Sequence, residues 1–211
     1  MNSLDVCPLE KTQIADASKV AAKAFEDDPV FGYLTSDDRE LRFQALTWLT
    51  SRALSYCTQH PYVYTTPNLE GIAAWLPPGK FSGHPLQLLR MGLQLQLYAL
   101  PWQVGWNRLG RWLSFLVATE QAHQQDMGDL PHWYLGIMVV HPASQGKGLG
   151  RQLLQPILQR ASDEGLPCYL VTFTPQAVGF YQRNGFEIVR HQTFESGAPP
   201  FWTLRRDPLK A

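Results

Sequence analysis

The sequence predicts an α/β fold built on one mixed sheet. Three observations point that way. Short β-favouring runs alternate with stretches of helical period, an apolar run at 132–140 leads into a glycine-rich loop, and a helical stretch follows that loop at once.

The first helix is read from Ile14, Ala17, Ala21 and Ala24, which recur at spacings of three and four and are followed by Phe25. It ends near Asp27-Asp28-Pro29, because the residue before a proline is pushed out of the helical region. Leu41, Ala45, Trp48 and Leu49 repeat the pattern for a second helix running to about Gln59. The period then changes to two short β runs, 62–66 and 71–76, joined by Pro67-Asn68-Leu69-Glu70 as a hairpin. A proline-rich loop covers 77–85. Residues 86–125 read as helical with an interruption at Pro101, and Gly128 to Pro131 end them.

Residues 132–140 form a continuous apolar run stopped by Pro142, the pattern of a buried central strand. After the loop a helix runs to about Glu164 and is ended by Gly165 and Pro167. A short apolar strand at 168–172 comes next, then a helix at 175–184 with Gly185 as its C-terminal cap. Two last strands, 186–194 and 201–205, close the chain. The expectation is one domain over 1–211 with a helical insert at 77–128.

Composition narrows the function classes. Of 211 residues 45% are hydrophobic and 17% charged, an ordinary globular balance. Lys+Arg and Asp+Glu both number 18, so no global basic field favours nucleic acid. The three cysteines, Cys7, Cys57 and Cys168, are scattered and form no CxxC pair, which fits neither a disulfide framework nor a zinc site. The N-terminal residues lack a basic region followed by an apolar one, and no run of about 20 apolar residues is present. A cytoplasmic protein without metal, membrane or nucleic-acid partners is expected.

The glycine loop carries the chemistry. A strand, the loop Gln145-Gly146-Lys147-Gly148-Leu149-Gly150 and a helix in succession aim backbone N–H groups and a helix dipole at an anion. Lys147 and Arg151 add positive charge. Two other phosphate loops are excluded. Gly148 follows Lys147 where a P-loop needs Ser or Thr, and Arg151 stands where a dinucleotide fingerprint needs its third glycine.

The loop resembles the Q/R-x-x-G-x-G/A element of the GNAT N-acetyltransferases, and it follows a strand ending in Val140-His141-Pro142 as in that family. Phe180-Tyr181-Gln182-Arg183-Asn184-Gly185-Phe186 resembles the family's second element, F/L-Y-x-x-x-G-F, and lies at the expected distance. Within the family, the stretch from His132 to Phe186 with Trp202-Thr203-Leu204 is similar to puromycin N-acetyltransferase-like members. The first 130 residues match only in layout.

The resemblance implies a mostly antiparallel sheet with two splayed central strands and acetyl-CoA as cosubstrate. The backbone of Met138-Val139-Val140 would pair with the pantetheine arm, and residues 145–151, from Gln145 through Leu149 and Gly150 to Arg151, would hold the pyrophosphate. An N–H in that strand would polarise the thioester carbonyl, an effect of about 10²–10³ in rate. Tyr181 would be the acid that protonates the departing thiolate.

Two departures from the family stand out. Val171 occupies a position where many members carry Glu, and Thr174-Pro175-Gln176-Ala177-Val178 lacks an Asn that often binds the arm. The base therefore stays open among His132, Glu120, Asp126, Asp129, Glu70 and a water chain.

The expected acceptor is a small-molecule primary amine. Phe81, Tyr98, Trp102, Trp106, Trp112 and Phe115 would either line its pocket, pack the insert on the sheet or form a subunit contact, so a homodimer is compatible. A peptide or protein acetyltransferase and a CoA-binding module without catalysis are the alternatives.

Overall fold

The computed structural model describes residues 6–80 and 85–208. Phe81 lies outside them. The strands are β1 (Cys7–Pro8), β2 (Val63–Thr65), β3 (Gly71–Leu76), β4 (Trp133–Val140), β5 (Cys168–Thr172), β6 (Glu187–Thr193) and β7 (Pro200–Arg206). The helices are α1 (Ile14–Phe25), α2 (Pro29–Leu34), α3 (Arg39–Cys57), α4 (Pro85–Gln94), α5 (Leu100–Val104), α6 (Leu109–Met127), α7 (Leu149–Asp163) and α8 (Pro175–Gln182).

The strands form one seven-stranded sheet in the order β1-β2-β3-β4-β5-β7-β6. Every pairing is antiparallel except β4 with β5, which α7 joins by a crossover. One face is covered by α7, whose Leu153, Leu154, Ile157, Leu158 and Ala161 are buried against Trp75, Trp133 and Leu170. The other face takes Ala17 and Ala21 of α1 with Leu54 and Cys57 of α3, packed on Ile72, Ala74, Ile137 and Val139. A third cluster joins α2, α3, α5 and α6 through Leu34, Ala45, Leu100, Trp112 and Phe115.

Strand β4 is more particular than its apolar sequence suggests. Ala74 pairs with Ile137 but Trp75 pairs with Leu135, so Gly136 is an extra residue opposite β3. That bulge reverses the alternation of side chains. Trp133 and Leu135 belong with Met138 and Val140 on the α7 face, while Tyr134, Ile137 and Val139 lie on the α1 face. Tyr134, Met138 and Val140 are only half-buried, because the strand borders a cavity.

The pairing of β4 with β5 covers Trp133↔Cys168 to Leu135↔Leu170 and stops there. Strand β4 continues to Val140 against β3, and β5 continues to Thr172 against β7. Residues 136–140 therefore face a wedge rather than a neighbouring strand, and the central strands are splayed.

Three local expectations change. Pro101 does not interrupt a helix but sits in the first turn of α5, where a missing N–H costs nothing because those N–H groups have no acceptor in the helix. The breaks fall at Gln96 and Gly105, which take left-handed or open conformations with φ of 56° and 91°. Helix α2 arises because Asp28 accepts from the backbone N–H groups of Val30 and Phe31 and Pro29 occupies the first turn.

Candidate active site

The loop after β4 is built by short-range contacts and one long-range fastening. His141 and Pro142 end the strand, and residues Pro142–Ser144 make a single tight turn. The Gln145 side-chain amide donates to the Val140 carbonyl at 3.2 Å, folding the loop back on its strand. The Ser144 hydroxyl donates to the Glu70 carboxylate at 2.7 Å, and the Lys147 ammonium lies 3.7 Å from the same oxygen. The His141 N–H donates to the Glu70 carbonyl at 2.7 Å, so Glu70 holds the loop through its backbone as well.

Gly146 and Gly148 adopt φ of 79° and 80°, a region that side chains strongly disfavour. Gly148 is the cap of α7 and supplies no side chain, which leaves the first-turn N–H groups of this 15-residue helix open to a ligand. Gly150 allows close packing. A Cβ there would lie 3.0 Å from the Phe180 ring and 3.2 Å from the Met138 methyl.

A cavity of about 1290 Å³ runs from this loop through the wedge to the helical face. Its walls include Met138, Val139 and Val140 of β4, Gln145, Gly146, Gly148, Leu149, Gly150 and Arg151 of the loop and α7, and Tyr181 of α8. One cavity thus brings together Tyr181 and all but one of the residues that the sequence assigns to the cofactor. The exception is Lys147, whose side chain turns to Glu70. Arg151 borders the groove and makes no ion pair among the described residues.

Tyr181 is 6% exposed and packs against Phe180 and Phe186, with ring centroids 5.1 and 5.7 Å away. Its carbonyl accepts from the N–H groups of Asn184 and Phe186, and Gly185 reverses the chain with φ of 85°. That turn is why the spacing from tyrosine to glycine and phenylalanine matters: it returns Phe186 beneath the helix. Burial pushes the Tyr181 phenol well above its ordinary pKa, so it is a protonated donor at neutral pH.

The candidates for a base separate clearly. Asp126 is buried and committed: Arg190 lies at 2.7 Å, and the hydroxyls of Tyr169 and Thr203 donate to it at 3.0 and 2.5 Å. His132 is buried with its Nε2 2.8 Å from that of His123, its Nδ1 donates to the Leu130 carbonyl, and it is not in the cavity wall. Asp129 is exposed in a turn away from the cavity. Glu70 is engaged by the loop. Glu120 is in the wall.

The aromatics of the insert also divide. Trp112 and Phe115 line the cavity, whereas Tyr98, Trp102 and Trp106 are exposed at 65%, 69% and 65%. Residues not read as site residues from the sequence complete the helical end of the cavity: Asp27 and Asp28 at the α1–α2 junction, Trp48 of α3, and Phe173 after β5. Burial raises the Asp28 carboxyl to about 6, against the lowering effect of the Phe31 and Val30 amides. The Asp28-Pro29 pair was the sequence signal for this corner. In sequence the pair reads as a helix stop; in the fold it also starts α2.

Comparison with known proteins agrees with this geometry. Residues 111–188 match the family model described as acetyltransferase (GNAT) domain. An uncharacterised N-acetyltransferase of Schizosaccharomyces pombe is 29% identical over 205 residues, covering 94% of this chain and 83% of the relative. An agmatine N-acetyltransferase structure superposes with a TM-score of 0.65 at 15% identity, covering 98% of this chain and all of the other. An acetyltransferase structure from Corynebacterium glutamicum gives 0.61 at 19% identity, with 99% and 98% covered. The two structures speak to the fold. The loop and the splayed strands agree with the match of residues 111–188 to a GNAT acetyltransferase domain, and the chain is an N-acetyltransferase.

Proposed function

We propose that this enzyme transfers the acetyl group of acetyl-CoA to a primary amine of a small molecule, by direct attack while both substrates are bound. The observation that carries the reading is the continuous cavity, which has the glycine loop at one end, Tyr181 and the unpaired side of β4 in the middle, and an aromatic corner at the other.

The residues suit acetyl-CoA. The positive φ of Gly146 and Gly148 and the open first turn of α7 present N–H groups to a pyrophosphate, and Arg151 adds a free cation. Residues 136–140 leave backbone donors and acceptors without a β5 partner, as an amide-containing pantetheine arm requires. Bound there, acetyl-CoA supplies the activated acyl group. Tyr181 would donate its proton to the sulfur as the C–S bond breaks.

The acceptor side supports a compact amine with an apolar body. Phe31, Trp48, Trp112, Phe115 and Phe173 border it, and Phe173 meets Phe31 and Phe115 edge-on at 5.6 and 5.7 Å. The motif likeness to puromycin N-acetyltransferase-like members points the same way.

The test is calorimetry with acetyl-CoA, then thiol release across a panel of small amines and N-terminal peptides. Binding followed by release with small amines supports the reading. Release only with peptides would replace the acceptor, and binding without turnover would make this a CoA-binding module.

A further inference from the structure

Direct attack needs a neutral amine, so something must take a proton from the incoming ammonium. Three carboxylates stand in the cavity wall: Asp27, Asp28 and Glu120. Asp27 is exposed and pairs with Arg39 at 2.8 Å. Asp28 caps α2, one of its oxygens accepting from Val30 and Phe31 at 2.9 and 3.3 Å. Glu120 makes no ion pair among the described residues, and its side-chain contact is the Gln124 amide one helical turn away, at 3.1 Å. Among the described residues it has no cap to hold and no cation to neutralise.

Its place in the fold is also specific. The side of β4 that β5 leaves unpaired begins at the Gly136 bulge, where the wedge closes at Leu135↔Leu170. Tyr134 lies at that root and in the cavity wall. Glu120 of α6 lines the same cavity as Tyr134, and burial first, with the Glu120 charge second, pushes the Tyr134 phenol well above its ordinary range. Burial likewise raises the Glu120 carboxyl, against the lowering effect of Gln124, as a group does that trades water for a half-buried wall.

We infer that Glu120 receives the ammonium of the acceptor and takes its proton, a role that rests on the acetyl-transfer reading above. A proton passes from R–NH3+ to the Glu120 carboxylate. The freed nitrogen pair then forms a C–N bond to the thioester carbonyl carbon. As the carbonyl re-forms, the C–S bond breaks and its electron pair goes to sulfur, which takes the Tyr181 proton. The second nitrogen proton returns to the tyrosinate, and Glu120 gives its proton to solvent. The products are the acetamide, CoA thiol and one proton. This carboxylate comes from the helical insert, which explains how the chain dispenses with a Glu at Val171.

The test uses Glu120→Gln, which keeps the size of the side chain and a polar contact to Gln124, with 2-phenylethylamine and 1,4-diaminobutane as acceptors. The expected result is a loss of about 10²–10⁴ in kcat/KM near neutrality with an unchanged acetyl-CoA Kd. Rate should return as the pH rises toward the amine's own pKa, a recovery that a purely structural defect would not show. Amine binding to the CoA-loaded protein should weaken at least about tenfold, a loss of about 1.4 kcal/mol. Wild-type rate, pH profile and amine binding in Glu120→Gln would overturn the role, as would a loss confined to Asp28→Asn. Failure of the wild type to bind acetyl-CoA would refute the acetyl-transfer reading itself. Acetyl-CoA binding with neither binding nor acetylation of any amine would overturn both.

Discussion

The Glu70 carboxylate accepts from the Ser144 hydroxyl at 2.7 Å and lies 3.7 Å from the Lys147 ammonium, tying the β2–β3 hairpin to the glycine loop. A residue from the first half of the chain thereby fixes the loop that the second half supplies. Glu70→Ala should leave the fold intact and raise the acetyl-CoA Kd about 5–10-fold, the value of one charge-assisted contact. Calorimetry checks this, with kcat at saturating cofactor expected to hold.

Gly150 tests the packing beneath the loop. A Cβ would already crowd Phe180 and Met138, so Gly150→Val should destabilise by about 1–3 kcal/mol. Adding Phe180→Leu should recover part of that loss, and urea unfolding of the single and double variants measures it.

Tyr181→Phe removes the phenol proposed as the proton donor and keeps the ring that packs on Phe180 and Phe186. Acetylation should fall by about 10²–10⁴ while acetyl-CoA affinity stays unchanged. An equal rate in the variant, measured by thiol release, would remove the phenol from the chemistry.

Asp28 makes stability depend on pH. Its carboxyl rises from the usual 3.8 to about 6 on folding because it is buried. The folded state therefore holds this proton more tightly than the unfolded chain. The resulting stability is full below 3.8 and is lost as the pH rises through about 6. Asparagine caps equally well without ionising. Between pH 4 and 7.5 the wild type should lose on the order of 2 kcal/mol relative to Asp28→Asn in urea unfolding.

The cofactor half was legible because its signals are local. The strand, the glycine loop, α7 and the tyrosine-to-glycine turn are each written in a few consecutive residues, and burial of their apolar faces leaves little choice of partner. Less legible were features decided by contacts distant in sequence. Lys147 reads as a cation of its own loop, and only the fold shows that its ammonium lies 3.7 Å from Glu70, 77 positions away in sequence. His132 and Asp126 read as candidate bases until burial joins one to His123 and the other to Arg190. Gly136 reads as one more small residue in an apolar strand; only pairing with β3 makes it a bulge. Pro29 reads as a helix stop in the sequence, yet with Asp28 before it the same proline begins α2.

The central claim is that acetyl-CoA lies along the unpaired side of β4 with its pyrophosphate on the loop. Amide hydrogen exchange with and without acetyl-CoA tests it most directly. Saturating cofactor should slow exchange at residues 136–140 and 145–151, with little change in β2 or β6. Binding that leaves both segments unprotected would contradict the account.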